Sequence, residues 1–404
     1  MNKRANHNCT TVEAAVSAAA AVVAGVSPAA ADTAASTGDV IRHVYVHIPF
    51  CARICPYCAF YKELLDRPQM QRFCAAILAE LDRHLAVRAI VTSTIYFGGG
   101  TPTALTMAQL DFLLRGFHDR LDLSQVAEWT LEANPGSVSR RKAEMLRRLG
   151  VNRISLGVQS WNNQLLKLLG REHNARQAEE SFRILRAAGF ANINVDLMFA
   201  LPGQTCAQWR ATLEKTISLQ PEHISTYCLT YEEDTDFFLR QSRGQYRADP
   251  DTEAELFEMT MSILEAAGYE HYEISNYARS NFSSVHNRAY WSGENYLGLG
   301  PSAFSTIAKE RWQNVCDYRA YADRVFAAES PIESREDLSG EMIRTERIAL
   351  SLRTRDGVTA RLLEPFPNET REFVRLGLLR RSNGRFVLTR AGKSLADSVA
   401  EAFI

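Results

Sequence analysis

Three cysteines, Cys51, Cys55 and Cys58, fall within the eight residues CARICPYC. Thiolates are soft ligands, suited to zinc or to iron–sulfur clusters. Structural zinc takes four ligands, usually as two separated pairs, and no second pair follows. A four-iron cluster is normally held by four cysteines. Three would leave one iron without a protein ligand, a place for an exchangeable one. Phe60 stands where a fourth cysteine would be expected. His47 alternates with apolar neighbours, as a strand residue does. A chance grouping or a zinc site are the bland explanations of the trio.

Elements that must position such a cluster alternate along the chain. VYVHIP, STIYFGGG, EWTLEAN, NRISLGVQS, NINVDLMFALPG and HISTYCLT each read as a strand, and each precedes a helical stretch. Six βα units between Val44 and Tyr269 imply a parallel sheet with helices outside it. Each strand ends in glycines or polar residues, and in a barrel all such ends meet at one mouth. A doubly wound sheet would use mainly the ends beside its switch point. The expected fold is therefore α/β, a partial (β/α)6 barrel over residues 41–277. A connecting segment follows over 278–335, with HNRAYWSGENYLGLGPSAF as loop and short strand. Helices at EMIRTERIALSLRT, TARLLEPF and TREFVRLGLL, then a hairpin, suggest a small winged-helix-like domain over 336–404.

Hydrophobic residues make up 46% and charged residues 23% of the 404, with a net charge of -1. No basic field points to nucleic acid as a partner; Arg380, Arg381, Arg385 and Arg390 read as a solvated hairpin. Eight cysteines in so long a chain are too few for a secreted disulfide scaffold. The isolated ones read as small buried hydrophobes. The alanine-rich residues 1–40 are expected to be a disordered leader rather than a signal peptide, since Glu13 interrupts a weakly hydrophobic run. No stretch reads as a membrane span, and a cytoplasmic location is expected.

The spacing Cys51-x3-Cys55-x2-Cys58, with Tyr57 before the last cysteine, resembles the signature of the radical S-adenosylmethionine (SAM) superfamily. That resemblance implies a 4Fe-4S cluster whose open iron takes the amino and carboxylate groups of SAM, and a reduced cluster able to cleave it. YVHIPFC, YFGGGTPT, SLGVQSW, LGREH, DLMFALPGQT and HISTYCLTYEEDT are together similar to the coproporphyrinogen dehydrogenase (HemN) group and its relatives, from about Tyr45 to the C-terminus. The resemblance implies SAM contacts at Tyr45, Gly99, Gly100, Thr101, Glu132, Gln159, Arg171 and Asp196. A tight turn at Gly98–Gly100 and a buried Arg171–Asp196 pair are the structural alternatives.

The dehydrogenases carry a cysteine where this chain has Phe60. The related HemW haem chaperones lack it and carry HNxxYW, which here is His286, Asn287, Arg288, Ala289, Tyr290 and Trp291. The resemblance is therefore to the HemW family, and it implies haem and haem-accepting proteins as partners. Imidazole is a common haem ligand, and Tyr290 and Trp291 offer flat apolar faces. A structural plug on the barrel's open side is the competing use of these residues. Phe304 replaces a frequent histidine of the relatives; Trp161 and Ala200 read as conservative departures. Porphyrinogen decarboxylation, or radical chemistry on another substrate, is the alternative activity.

Overall fold

The computed structural model describes residues 40–403; the leader expected over 1–40 lies outside them except for Val40. β-Branched and aromatic residues build the first strand, β1 (Ile41–Ile48), buried along nearly its whole length. It pairs in parallel with β2 (Ile90–Gly99). Then β3 (Glu128–Ala133), β4 (Arg153–Gln159), β5 (Ile193–Phe199) and β6 (His223–Cys228) follow in unbroken parallel order. The six expected strands are thus neighbours in chain order, and all their C-terminal ends face one way.

Helices α1 (Arg67–Leu85), α2 (Met107–His118), α3 (Arg140–Arg148), α4 (Ala175–Ala187), α5 (Cys206–Ser218) and α6 (Pro250–Ala266) return the chain between strands or leave the last one. Three start with a capping box, Thr106 with Gln109, Asn174 with Gln177 and Thr205 with Gln208. Each box satisfies otherwise unpaired first-turn N–H groups from its own sequence. The helices bury apolar faces on the sheet around Phe97, Phe117, Trp129 and Trp209, all at most 1% exposed.

The sheet does not stop at six strands. β7 (Glu270–Glu273) and β8 (Asn276–Ala278) form a hairpin that adds antiparallel to β6. The chain then forms a helix, α7 (Val285–Trp291), and returns to the opposite edge as β9 (Tyr296–Leu299), parallel to β1. β10 (Phe304–Ile307), β11 (Glu310–Asn314) and β12 (Ile332–Asp337) continue antiparallel, with α8 (Tyr318–Phe326) between the last two. The result is a 12-stranded sheet with two free ends. The stretch expected as a connector therefore extends the sheet, and the HNxxYW residues form a helix rather than a loop. Its N-cap is Ser284, whose hydroxyl accepts from Asn287 N–H.

A second core of Ile348, Leu352, Val358, Leu363, Leu379 and Phe403 forms nearer the C-terminus. It is built by α9 (Gly340–Leu352), α10 (Pro367–Arg375), a final helix and a three-stranded sheet. TARLLEPF is not a helix, in contrast to expectation. Val358–Thr359 pairs with Arg385–Phe386 and only a 3-10 turn, Ala360–Leu363, follows. Pro365 and Pro367 account for this, since a proline disfavours helix at the preceding residue. Arg390 pairs with Glu258 and Glu265, while Arg385 donates to two backbone carbonyls, so of the hairpin's arginine group Arg390 is neutralised within the molecule. Among the described residues no helix is long and apolar enough to cross a membrane.

Candidate functional site

The three cysteines lie just past β1, in a loop held from three sides. Thr101 N–H donates to Phe50 O at 2.9 Å, Leu65 N–H to Cys51 O at 3.2 Å, and Phe237 N–H to Pro56 O at 3.1 Å. Cys51 Sγ is 3.5 Å from Thr101 Oγ1. Asn134 Nδ2 donates to that hydroxyl at 3.1 Å and its amide oxygen accepts from Arg171. Arg171 Nη1 reaches Cys55 Sγ at 3.6 Å, and Nη2 donates to Gly157 O at 2.9 Å. The ends of β1 to β4 are thereby tied around a cavity of about 310 Å³ into which Cys55, Thr101, Asn134 and Arg171 face. Asn134 was missed from sequence, although it sits two residues past Glu132 in the same strand-end group.

Burial pushes the Cys51 thiol up to about 11 and raises Cys58 as well. Unliganded, both keep their protons; binding to iron would release them. Among the described residues no three His, Cys, Asp or Glu side chains converge on a single-ion site. Three thiols around one loop match the donor set of a polynuclear iron–sulfur cluster.

The glycines have a role in the chain itself. A Cβ on Gly99 (φ +102) would meet the His47 ring at 2.6 Å, and one on Gly100 would meet the Pro49 backbone at 2.5 Å. Close approach of strand ends therefore already demands glycine at both positions. Gly98 has the Glu132 carboxylate 3.1 Å from such a Cβ. Glu132 accepts from Tyr96 OH at 2.8 Å. Tyr45 OH donates to His47 Nδ1 at 3.1 Å, and His47 Nε2 donates to Tyr61 O at 3.0 Å. Tyr57 packs on Phe237 with ring centres 6.1 Å apart, and burial raises its pKa.

Arg171 and Asp196 are not partners. Asp196 is held by Ser155 Oγ at 2.9 Å and Asn194 Nδ2 at 2.7 Å. Burial raises its pKa against those hydrogen bonds. Gln159 and Ala200 end adjacent strands with φ of +67 and +58. Backbone strain of this kind gathers at ligand sites. Ala200 is thus not a conservative departure from glycine, because its Cβ disfavours that conformation. Ala200→Gly is expected to raise stability by about 1 kcal/mol, read as a higher thermal midpoint. An unchanged or lower midpoint would contradict the strain.

The motif helix α7 sends its residues two ways. His286 is 0% exposed and lies against the rings of Tyr96 and Tyr290, with centres 5.2 and 4.7 Å away. Its Nδ1 is 2.7 Å from Thr94 Oγ1, which is 2.8 Å from His43 Nδ1; His43 Nε2 is 3.1 Å from Glu294 Oε2. A carboxylate only accepts, so His43 donates at Nε2. When His43 is neutral, its Nδ1 accepts from the Thr94 hydroxyl, and Thr94 accepts from His286 Nδ1–H. His286 Nε2 then carries a bare lone pair, and that atom is buried without a hydrogen-bond partner. Burial, with smaller contributions from His43 and Arg153, holds its pKa well below the ordinary value. Trp291 turns away, packing with Tyr272, Ala278 and Leu350. Asn287 is half-buried on the first turn. The structure therefore brings His286 and Tyr290 to the barrel interior and places Trp291 elsewhere.

Comparison with known proteins agrees with this geometry. The sequence matches the Radical SAM superfamily over residues 45–216. It is 37% identical to the protein named heme chaperone HemW of Lactococcus lactis over 376 residues, 89% of this chain and 96% of that one. The protein of the same name from Bacillus subtilis is 35% identical, with 90% and 99% covered. Among solved structures, coproporphyrinogen III oxidase (HemN) from Escherichia coli superposes with a TM-score of 0.77 at 22% identity, covering 90% of each chain. That last likeness bears on the fold alone. Extended over almost the full length of both HemW relatives, the match shows that this chain belongs to the HemW heme chaperone family of the radical SAM superfamily.

Proposed function

We propose that the chain binds haem and passes it to haem-dependent acceptor proteins, with a 4Fe-4S cluster held by Cys51, Cys55 and Cys58. The observation that carries the reading is His286 Nε2, a buried, unpartnered lone pair oriented through Thr94, His43 and Glu294. Metal-bound histidines are commonly oriented in this way, by a partner on the other ring nitrogen. SAM would lie at the cavity beside Cys55, against Thr101 and Arg171; Tyr45, Tyr57, Gly99, Gly100, Glu132, Gln159 and Asp196, outside the lining of that cavity, are its further contacts by family resemblance alone. The bound cluster would supply electrons and an open iron for the SAM carboxylate and amine. Arg171 already donates towards Cys55, which stabilises thiolate charge.

Tyr96 and Tyr290 cover His286 in this structure, so ligation through Nε2 requires α7 to shift or those rings to turn. Asn287, on the first turn of α7, and Trp291, at its end, would move with it. Porphyrinogen decarboxylation is the second reading, favoured by the shared fold with HemN and opposed by Phe60. Anaerobically reconstituted protein separates the two. Stoichiometric haem uptake without turnover of coproporphyrinogen is expected, and decarboxylation of that substrate would overturn the chaperone reading. Cys55→Ala is expected to abolish the cluster absorbance and leave the fold intact by circular dichroism. A full cluster in that variant would remove Cys55 from the ligand set.

A further inference from the structure

The outward face of α7 borders a second cavity, of about 730 Å³, between the barrel and the C-terminal residues. It shares no lining residue with the cavity beside Cys55. Tyr272 and Trp291 form part of one wall. Six arginines border it, Arg288, Arg344, Arg347, Arg355, Arg361 and Arg385, against two acids, Asp356 and Glu364.

Little within the molecule neutralises that charge. Arg355 pairs with Glu270. Arg347 donates to Gly293 O at 3.0 Å, and Arg385 to the carbonyls of Asp356 and Gly357 at 2.7 and 2.6 Å; carbonyls leave the cation uncompensated. Arg344 is 3.8 Å from Glu341, and its buried Nε has no partner. Arg288 and Arg361 make no ion pair among the described residues. Single arginines pointing into water are ordinary. Convergence of six on one concavity, in a chain of net charge -1, is not explained by solvation.

We propose that this cavity is a carboxylate-binding site that takes the propionate edge of haem; the proposal rests on the reading that the chain binds haem. Its volume lies within the range of about 300–1,000 Å³ usual for small-molecule sites. The cations are all arginine, whose planar fork matches a carboxylate with two parallel hydrogen bonds and stacks on flat conjugated rings. Trp291 and Tyr272 supply apolar wall beside them. Nucleic acid fits worse, since it needs an open basic surface rather than a walled concavity. One seven-residue helix, α7, then serves both parts of the ligand. His286 faces inwards towards the barrel, and Arg288 meets carboxylates on the other side.

Titration of the full chain with haem and with haem dimethyl ester, whose propionates carry no charge, tests this. Wild type is expected to bind haem at least about tenfold tighter than the ester. In the double variant Arg288→Gln/Arg361→Gln, haem affinity should fall to that of the ester, with ester binding and thermal midpoint unchanged. Millimolar inorganic phosphate should not displace haem. Equal binding of haem and ester by wild type would overturn the cavity assignment and leave the haem reading standing. So would a preference retained in the variant, and displacement by phosphate would mark a general anion site instead. Binding of neither compound would overturn the haem reading and the cavity together.

Discussion

Glu128→Ala is expected to destabilise the protein by about 3–5 kcal/mol, the range for removing one member of a buried charged group. Glu128 is 3% exposed at the start of β3, yet its partners come from far along the chain. Its carboxylate accepts from Val285 N–H at 2.8 Å, His286 N–H at 3.2 Å and Ser284 Oγ at 3.1 Å. Thr130 Oγ1 donates to it from the same strand at 3.2 Å. It is also the strongest of the charges that hold the fully buried Arg153 guanidinium protonated against the cost of burial. Removal leaves the Val285 and His286 N–H groups without their acceptor and takes from Arg153 its strongest compensating charge, leaving Asp196 as the remaining carboxylate. Urea unfolding reads the stability loss. Cluster absorbance should survive, because the cysteine loop is anchored through Phe50, Leu65 and Phe237 rather than through α7. Haem affinity should fall more steeply than cluster content. A loss under about 1 kcal/mol, or parallel loss of cluster and haem, would show that Glu128 does not anchor the motif helix.

That anchor was not legible in the sequence, and the reason is physical. Strand-end groups announce themselves because glycines, prolines and polar residues interrupt β-branched runs at fixed places. The cysteine spacing stood out in this way, and the SAM contacts expected at Thr101, Arg171 and Asp196 came from the family resemblance of the segments around them. Glu128 and Arg153 begin their strands and Asn194 is the second residue of its own, where a lone polar residue reads as an outward-facing one. Their partners are separated by tens to more than a hundred residues, so only the closed sheet brings them together. Helix α7 spans seven residues and β9 spans four, too short for a period of 3.6 or 2 to stand out. Gly298 and Gly300 around β9 added a loop-like composition. The GGG segment illustrates a different limit. Its glycines were read as making room for a ligand, and Gly99 and Gly100 first make room for His47 and Pro49.

Acidification from pH 7.5 to 5 is expected to remove several kcal/mol of stability. His47, His84 and His173 are held near pKa 4 and His271 near 3, with burial the leading cause in each. Burial also places His223 and His286 well below the ordinary value. The unfolded chain takes up these protons near pH 6.5, and the native protein does so only about two or more units lower. Between those limits the unfolded state binds more protons, so native stability falls as pH falls and levels off below the native pKa values. Each fully buried imidazole contributes on the order of 1–2 kcal/mol over this interval; His84, partly exposed, contributes less. Glu80 works in the opposite sense. Burial raises it to about 7 against hydrogen bonds from Tyr321, Gly300 and Asn314, so its protonation between pH 7 and 4.5 favours the native state. This carboxyl offsets part of the histidine effect, and Asp196, raised by burial too, works in the same sense. The imidazoles prevail by number. Urea midpoints should therefore decline from pH 7.5 to 5, and unfolding should be accompanied by proton uptake near pH 5.5. His47→Gln should lower stability at pH 7.5 and flatten the decline, because one of the protons no longer enters the balance. A midpoint that holds steady or rises towards pH 5 would mean that the interior histidines reach water in the native state, and with it that the lone pair on His286 is not kept dry.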